Sequence, residues 1–154
     1  MIEANVDLWL EPADAKCITT NGFVKKNGEA VMGAGVAHQA QQRFAHFPET
    51  LGWALQNWGN KVIILDEIGG VAYIAFPVKY NWGEKANLEL IKKSAEQLMR
   101  IIHGRSWNGG NPWNKVLLPR PGCKNGRLLW KDVKPILEPI LDDRVWVITN
   151  DERF

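Results

Sequence analysis

The chain has 154 residues, of which 45% are hydrophobic and 23% are charged, and its formal net charge is +2. This length and composition predict one globular domain over residues 1–154 and exclude a disordered chain. A net charge this small does not by itself indicate a nucleic-acid or membrane partner. No apolar run approaches the roughly 20 residues of a membrane-spanning helix, and no signal-peptide pattern follows Met1, so we expect a cytoplasmic protein with no membrane partner.

Strands and helices are both predicted along the whole chain. Short apolar runs beside turn residues predict strands, and apolar residues at i, i+3 and i+4 spacing predict helices. The predicted strands are residues 6–10, 16–20, 62–65, 71–76, 115–118 and 145–149. The predicted helices are residues 36–47, 50–58, 86–103 and 133–141. We expect Pro48 to end the first helix and residues 105–114 to form a loop. Pro135 and Pro139 are expected to distort the last helix or to delay its start.

This order of elements predicts an α/β protein, specifically a three-layer α/β/α sandwich with a mixed central sheet. Ile68, Gly69 and Gly70 lie between two predicted strands and have the composition of a hairpin turn. A hairpin makes its two strands antiparallel. The sheet is therefore not the purely parallel sheet of a doubly wound fold.

The loop after the second predicted strand has the sequence pattern of a phosphate site. The strand ends in the polar residues Thr20 and Asn21, a turn-rich segment follows, and Gly33-Ala34-Gly35 leads into the predicted helix. Small residues let the backbone approach a ligand, and the free N–H groups at a helix start attract negative charge. Ordinary turns have this pattern too, so the loop alone leaves both interpretations open.

A second glycine-containing loop favours the ligand interpretation. Residues 119–127 follow a predicted buried strand and carry the cations Lys124 and Arg127. Loops at the carboxyl ends of strands in an open α/β sheet face a common crevice, where such sheets bind ligands. Together the loops predict a phosphate-bearing ligand such as a nucleotide diphosphate. A side chain at Gly33 or Gly122 is expected to fill the space of the phosphates and abolish binding without unfolding the protein.

Metal and thiol chemistry are not predicted. His38 and His46 lie eight residues apart, too far for a pair of ligands on adjacent helical turns, and no cluster of Cys, His and Asp completes a site. Cys17 and Cys123 form no CxxC motif, which favours a reducing compartment over a disulfide framework. Cys123 is interpreted as a small packing residue, because no histidine near it in the sequence would activate it. We expect no metal and no cofactor.

Four segments of the chain resemble the macro domain family. They are residues 6–8, 18–21, 31–37 and 121–126, and they occur in the family's order over nearly the whole chain. The resemblance is closest to the antitoxin macro domains that remove ADP-ribose from DNA and to related hydrolases of ADP-ribosylated glutamate. A Phe-Pro-Thr-Lys segment of that branch is similar to the start of residues 76–82. The resemblance implies a single macro domain that binds ADP-ribose and hydrolyses ADP-ribosyl bonds, with DNA, protein or a small acceptor as the modified partner.

The resemblance also implies roles for individual residues. Asp7 would accept a hydrogen bond from the exocyclic amine of adenine, and Asn21 would bond to the distal ribose. Lys79 matches the catalytic lysine of the branch, and Asn21 is the second catalytic candidate. Residues 32–36 would wrap the distal ribose and a phosphate, and residues 122–126 would hold the diphosphate by backbone N–H groups. The complete predicted ADP-ribose site is Asp7, Leu8, Thr20, Asn21, Val31, Met32, Gly33, Ala34, Gly35, Val36, Pro119, Pro121, Gly122, Cys123, Lys124, Asn125, Gly126 and Arg127.

A catalytic role for Lys79 requires a neutral amine. An unperturbed lysine has a pKa near ~10.4 and is almost wholly charged at neutral pH. Desolvation, or the approach of a second cation such as Lys124 or Arg127, would lower the pKa of Lys79 and free its lone pair.

The chain departs from the family pattern in its loops. Lys124 stands where these relatives usually carry glycine, and Arg127 adds a second cation nearby. Gly126 stands where the glutamate-directed relatives carry a catalytic aspartate, whereas the DNA-directed relatives also have glycine there. Residues 22–30 are longer than the equivalent loop in many relatives, which would alter the distal-ribose end of the site.

Each candidate residue also has a structural interpretation. Asp7 would be a carboxylate in a surface turn, Asn21 a cap at a strand end, and Lys79 an ordinary surface lysine. Three functions are open: a hydrolase, a module that binds ADP-ribose without chemistry, and a phosphatase acting on ADP-ribose 1″-phosphate. Lys79 favours the hydrolase, whereas Lys124 and Arg127 favour the phosphatase by holding an additional phosphate. We expect the hydrolase.

Overall fold

The computed structural model describes residues 1–107 and 111–149, except for the side chains of residues 106 and 107. Its strands and helices follow one another in the predicted order. The strands are β1 (Ile2–Asn5), β2 (Ala15–Asn21), β3 (Ile63–Ile68), β4 (Val71–Lys79), β5 (Val116–Pro119) and β6 (Val145–Thr149). The helices are α1 (Gly35–Arg43), α2 (Phe47–Trp58), α3 (Leu88–Trp107) and α4 (Trp130–Leu137).

The six strands form one mixed sheet in the order β1-β6-β5-β2-β4-β3. Neighbouring strands are parallel except β3 and β4, which are antiparallel. Ile68 pairs with Val71 across a turn, and the two turn residues, Gly69 and Gly70, have φ angles of +60° and +81°. Positive φ at both central residues is the geometry of a tight two-residue hairpin. The predicted hairpin and mixed sheet are confirmed.

Successive residues of β2 face two different helical layers. Cys17 packs in one core cluster with Ile91 of α3 and Leu137 of α4. Ile18 packs in another cluster with Ala40 of α1 and Leu51 of α2. Helices α3 and α4 therefore cover one face of the sheet, and α1 and α2 cover the other. The predicted three-layer α/β/α sandwich is confirmed.

The parallel neighbours β2 and β5 are the two strands at which the chain turns towards opposite faces of the sheet. After β2 the chain continues into α1 on one face, and after β5 it continues into α4 on the other. The two loops separate at the carboxyl ends of these strands and leave a crevice between them. This crevice is where the two glycine loops predict a ligand.

The first predicted strand is wrong, because residues 6–10 belong to no strand, residues 8–10 form a turn and β1 lies before them. Asp7 Oδ1 accepts hydrogen bonds from the backbone N–H groups of Trp9, at 2.7 Å, and Leu10, at 3.3 Å. The N–H of Glu11 donates to the Asp7 carbonyl oxygen at 3.0 Å. An aspartate that bonds to the backbone two residues later favours a turn over a strand. Apolar residues of this segment still pack in a small core cluster, which explains the strand-like pattern.

The boundary between the first two helices also differs from the prediction. Helix α1 ends at Arg43, and Pro48 lies in the first turn of α2 instead of ending α1. Proline is tolerated in a first turn, because the N–H that it lacks would have no helical partner there. The Pro48 carbonyl oxygen accepts a hydrogen bond from the N–H of Ala30 at 2.8 Å, which ties the start of α2 to the loop after β2.

Helix α3 begins two residues later than predicted and extends further. It follows Asn87, whose Oδ1 accepts a backbone N–H bond from the first turn at 2.9 Å and so caps the helix. Its last residue is Trp107, so the start of the loop predicted over residues 105–114 is helical. Residues 108–110 of that prediction lie outside the described residues.

Helix α4 begins at Trp130 rather than at residue 133, so its prolines do not delay it. Pro135 lies inside the helix, and the helix ends two residues before Pro139. Glu138 still has helical backbone angles, but Pro139 has no N–H with which to continue the helical hydrogen bonds, which accounts for this end point. Across the described parts of the chain, no helix has both the length and the apolar character that a membrane crossing requires.

Candidate functional site

A cavity of about 1000 Å³ opens at the carboxyl ends of the parallel strands. It brings together residues from both glycine loops, from the start of α1 and from the end of β4. The predicted site residues in its wall are Leu8, Thr20, Asn21, Val31, Gly33, Ala34, Gly35, Val36, Lys79, Pro119, Gly122, Cys123, Lys124, Asn125 and Gly126. The two loops therefore face one crevice.

Asp7, Met32, Pro121 and Arg127 do not line the cavity. Met32 packs in the hydrophobic core beside α1 and α2, and Pro121 is buried. Asp7 caps the turn described above. Arg127 Nη2 donates to the carbonyl oxygen of Gly83 at 3.5 Å. A contact between any of these four residues and a ligand stays a prediction.

Residues outside the predicted site also line the cavity, and they are Thr19, Ala37, Gln39, Val78, Trp82, Arg120, Ile148 and Thr149. Some of these residues could have been predicted from their position at strand ends. Val78 is near the end of β4, and Ile148 and Thr149 are at the end of β6. Because all parallel strands end at the same edge, the rule that pointed to β2 and β5 applies to them too. Arg120 had no signal beyond its position in the second loop.

The first turn of α1 presents unpaired backbone N–H groups to the cavity. The helix is nine residues long, Ala34 precedes it in extended conformation, and no side chain caps it. No acidic residue lies in its first turn. The first N–H groups of a helix lack helical partners and carry partial positive charge, so they favour an anion. A Cβ placed on Gly33 would have no heavy atom within 4 Å, which leaves the backbone open to a ligand.

Gly122 is surrounded by core packing that leaves no space for a side chain. Its φ is +77°, and a Cβ on it would lie 2.9 to 3.0 Å from carbons of Ala86, Ile91 and Leu128. The expectation that a side chain at Gly122 would spare the fold is therefore wrong. The N–H of Leu128 donates to the Gly122 carbonyl oxygen at 2.8 Å and closes the loop. Gly33 also lines the cavity, and a Cβ on it would meet no heavy atom within 4 Å, so a side chain fits there without a clash.

Lys79 lies at the end of β4 and joins two loops. Its Nζ donates to the carbonyl oxygens of Trp82, at 3.3 Å, and Asn125, at 3.2 Å. Burial lowers the pKa of the half-buried Lys79 amine, and the Arg127 guanidinium lowers it further. The two carbonyl contacts favour the charged amine, but the net direction of the pKa is downward. Arg127, and not Lys124, is the cation that acts on Lys79.

The cavity is electropositive. Among the described residues, no Asp or Glu lines it. Within the described residues no ion pair includes Lys79, Lys124 or Arg127. Arg120 lies 4.6 Å over the Trp130 ring and pairs with Glu3 at 3.5 Å. Lys79 and Lys124 in the cavity wall, with Arg127 acting on Lys79 from outside it and an uncapped helix start beside them, suit a ligand with several negative charges.

Asn21 closes the long loop that follows β2. Its Nδ2 donates to the Val31 carbonyl oxygen at 3.0 Å, and its Oδ1 accepts from the N–H of Phe23 at 3.0 Å. This side chain holds both ends of the loop in place beside the cavity. The neighbouring Thr20 hydroxyl is buried and has no hydrogen-bond partner among the described residues, an arrangement that native proteins usually avoid.

Comparisons with known proteins relate this architecture to macrodomains. No family model and no curated protein matches the sequence. The macrodomain of Mycobacterium tuberculosis DarG is 27% identical with a TM-score of 0.78, over 96% of both chains. The Thermus aquaticus DarG macrodomain is 23% identical with a TM-score of 0.78, over 96% of this chain and 97% of that one. Thermosipho africanus DarTG, solved in complex with ADP-ribose, is 17% identical with a TM-score of 0.74, over 96% of this chain but 41% of that one.

The chain has the macrodomain fold: a mixed six-stranded sheet between helices, with an electropositive cavity at the strand ends. Its structural neighbours include macrodomains of DarG. The predicted resemblance to macro domains and the predicted fold class are confirmed. At these identities the likeness establishes the fold, and the activity is a separate question.

Proposed function

We propose that the protein binds ADP-ribose in this cavity and hydrolyses ADP-ribosyl bonds, releasing ADP-ribose from a modified acceptor. The observation that carries the proposal is Lys79, an amine in the cavity wall with a lowered pKa and no carboxylate partner among the described residues. The ADP-ribose complex of the similar Thermosipho africanus DarTG supports the choice of ligand.

The chemistry of the wall suggests how ADP-ribose lies in the cavity. Its diphosphate lies against the uncapped start of α1 and residues 122–126, since both line the cavity and backbone N–H groups of such loops bind phosphates. Its adenine lies towards the apolar side chains of Leu8 and Ile148, which line one part of the wall. The distal ribose then lies near Asn21 and Lys79, which are neighbours because Asn21 pairs with Lys79 in the sheet.

The proposed reaction uses the Lys79 amine as a nucleophile. The neutral nitrogen attacks C1″ of the opened distal ribose, a carbon–nitrogen bond forms, and the bond from C1″ to the acceptor breaks. The acceptor leaves with the bonding electron pair and takes up a proton. Water then adds to the resulting imine and returns free ADP-ribose and the amine. The lowered pKa increases the fraction of neutral amine at neutral pH, which is what a nucleophilic lysine needs.

A phosphatase acting on ADP-ribose 1″-phosphate is the second candidate. Lys124 and Arg127 favour it, because neither has a carboxylate partner among the described residues and both can hold an additional phosphate. Within the part of the chain that the structure describes, no Asp or Glu lines the cavity to act as a general acid. A module that binds ADP-ribose without chemistry is the third candidate.

A screen of three substrates distinguishes these functions. The protein is incubated with ADP-ribosylated DNA, ADP-ribosylated protein and ADP-ribose 1″-phosphate, and release of ADP-ribose or phosphate is measured. The proposal predicts release of ADP-ribose from one or both macromolecules. Release of phosphate alone identifies the phosphatase, and tight binding of ADP-ribose without any release identifies the binding module. Either of these two results contradicts the proposed hydrolase.

Arg127→Gly is expected to shift the pH dependence of hydrolysis upward. Arg127 has a φ of +62°, a region that costs a residue with a side chain about 1 kcal/mol and costs glycine little. The glycine variant should therefore unfold at an equal or higher temperature. In this variant Lys79 loses a neighbouring positive charge, so its pKa rises. A higher pH is then needed to deprotonate the amine, and the pH–rate profile moves to higher pH. The pH–rate profile and the thermal unfolding midpoint of the variant check both effects.

Arg127→Lys is the matched control, because it keeps both the charge and the strained backbone. Its pH–rate profile should stay near that of the parent. An unchanged profile in Arg127→Gly would show that Arg127 does not tune the amine.

A further inference from the structure

Lys16 is a buried lysine that the proposed chemistry does not use. It lies in β2 between Tyr73 of β4 and Leu117 of β5, and its exposed fraction is 5%. Its Nζ donates to the carbonyl oxygen of Trp9 at 3.2 Å. Taking an ammonium group out of water is costly unless hydrogen bonds and opposite charges compensate. At a position between apolar neighbours, burying an apolar side chain would cost less free energy than burying an ammonium group.

The charges around Lys16 come from three elements. Asp7 and Glu11 of the turn over residues 6–11 favour its charged form, and Arg43 of α1 opposes it. Glu11 also pairs with Lys115 before β5. Burial is the largest influence and lowers the pKa of Lys16. The ammonium therefore donates its hydrogen bond to the Trp9 carbonyl oxygen in the turn, and Asp7 and Glu11 favour its charge by electrostatic attraction, without an ion pair to it among the described residues.

The same turn forms part of the cavity wall. Leu8 lines the cavity, and the indole Nε1 of Trp9 donates to Gln39 Oε1 at 2.8 Å. The Arg43 guanidinium lies 4.3 Å over the Trp9 ring. The turn belongs to no strand, so its position depends on the packing of Leu8 against Leu117 and Ile148, on these side-chain contacts and on the bond from Lys16.

We propose that Lys16 is a positioning residue for the base-binding end of the cavity. Its ammonium holds the turn over residues 6–11 against the sheet, so that Leu8 and Asp7 meet the base of the ligand in one fixed arrangement. This inference rests on the proposed function and on the predicted contact between Asp7 and adenine, because it takes the adenine of ADP-ribose as the group that meets the turn. An apolar side chain would keep the sheet but leave the turn with more than one position.

The test compares Lys16→Met with the exposed-lysine control Lys61→Met. The Kd of each protein is measured for ADP-ribose and for the analogue in which hypoxanthine replaces adenine and the exocyclic amine is absent. We expect the parent and Lys61→Met to prefer ADP-ribose by roughly tenfold, the equivalent of one good hydrogen bond. Lys16→Met should lose most of this preference. Its thermal midpoint should be equal or higher, because a buried charge has been removed.

A purely structural role for Lys16 predicts a different result, a lower thermal midpoint with the full preference for adenine retained, and that result overturns the inference. If Lys16→Met does not fold, Lys16→Gln replaces it: the shorter, uncharged side chain does not span to the Trp9 carbonyl, and the same loss of preference is expected. A parent that binds no ADP-ribose contradicts the proposed function instead. If the parent binds ADP-ribose and prefers it to the hypoxanthine analogue, and Lys16→Met shows the same preference, only the role of Lys16 is contradicted.

Discussion

Lys79→Arg is expected to retain ADP-ribose binding within about 1 kcal/mol and to lose hydrolysis by ~100-fold or more, because the amine acts only in the transition state. Arginine keeps a cation and N–H donors for the carbonyl oxygens of Trp82 and Asn125, which Lys79 Nζ contacts now. The guanidinium does not lose its proton in proteins, so it cannot act as the nucleophile. Single-turnover release of ADP-ribose measures the loss, and calorimetry with ADP-ribose measures the binding.

Two controls separate chemistry from loop geometry. Lys79→Ala removes both the amine and its carbonyl contacts, so it should lose hydrolysis equally and bind somewhat less tightly than Lys79→Arg. Lys85→Ala removes an exposed lysine of the same loop and should hydrolyse like the parent. Borohydride added during turnover should trap a covalent adduct on the parent and on Lys85→Ala alone. Full activity in Lys79→Arg would exclude the amine mechanism and favour attack by water organised by Asn21.

Gly33→Val is expected to abolish detectable ADP-ribose binding without unfolding the protein. A Cβ at Gly33 meets no heavy atom within 4 Å, and Gly33 is not among the glycines with positive φ. The valine side chain is therefore accommodated by the fold, but it occupies the cavity beside the start of α1, where the diphosphate is proposed to lie. Calorimetry with ADP-ribose and a thermal unfolding curve measure the two effects.

Gly122→Val is the comparison variant, because here the added valine side chain would enter the core instead of the cavity. Its Cβ would meet carbons of Ala86, Ile91 and Leu128 at 2.9 to 3.0 Å, and overpacking of this kind costs roughly 1–3 kcal/mol of unfolding free energy. Positive φ adds to that cost. We expect a lower midpoint for Gly122→Val and a parent-like midpoint for Gly33→Val. Parent-like binding by a folded Gly33→Val would show that the ligand does not approach this loop.

The fold could be predicted where one physical signal dominated. Gly69 and Gly70 between two apolar strands predict a hairpin turn. The repeated order of strands and helices is compatible with few arrangements of layers, so it predicts the sandwich. The prediction failed where local hydrogen bonds competed with apolar patterning. The Asp7 carboxylate converts residues 6–10 into a turn although the run is apolar enough for a strand. Pro48 lies in the first turn of α2 instead of ending α1, because proline suits a helix start as well as a helix end.

The candidate site could be predicted as far as its backbone. Gly33 and its neighbours indicated an anion site because small residues and a helix start are local features. Side-chain direction was not predictable in the same way. A Cβ at Gly122 would point into the core. Trp82 lies at the cavity, which its place in the sequence does not indicate. The influence of Arg127 on Lys79 also depends on how the loop folds back, which no sequence spacing encodes.

Titration of the protein with ADP-ribose in a calorimeter tests the central claim most directly. The cavity between the two glycine loops should bind one ADP-ribose per chain with a Kd in the micromolar range, which corresponds to a binding free energy on the order of −8 kcal/mol. Asp7→Asn keeps the oxygen that caps the turn and removes the charge, so it should bind more weakly than the parent if Asp7 contacts adenine. No detectable binding by the parent at millimolar ADP-ribose would contradict the proposed ligand, and with it the proposed hydrolase.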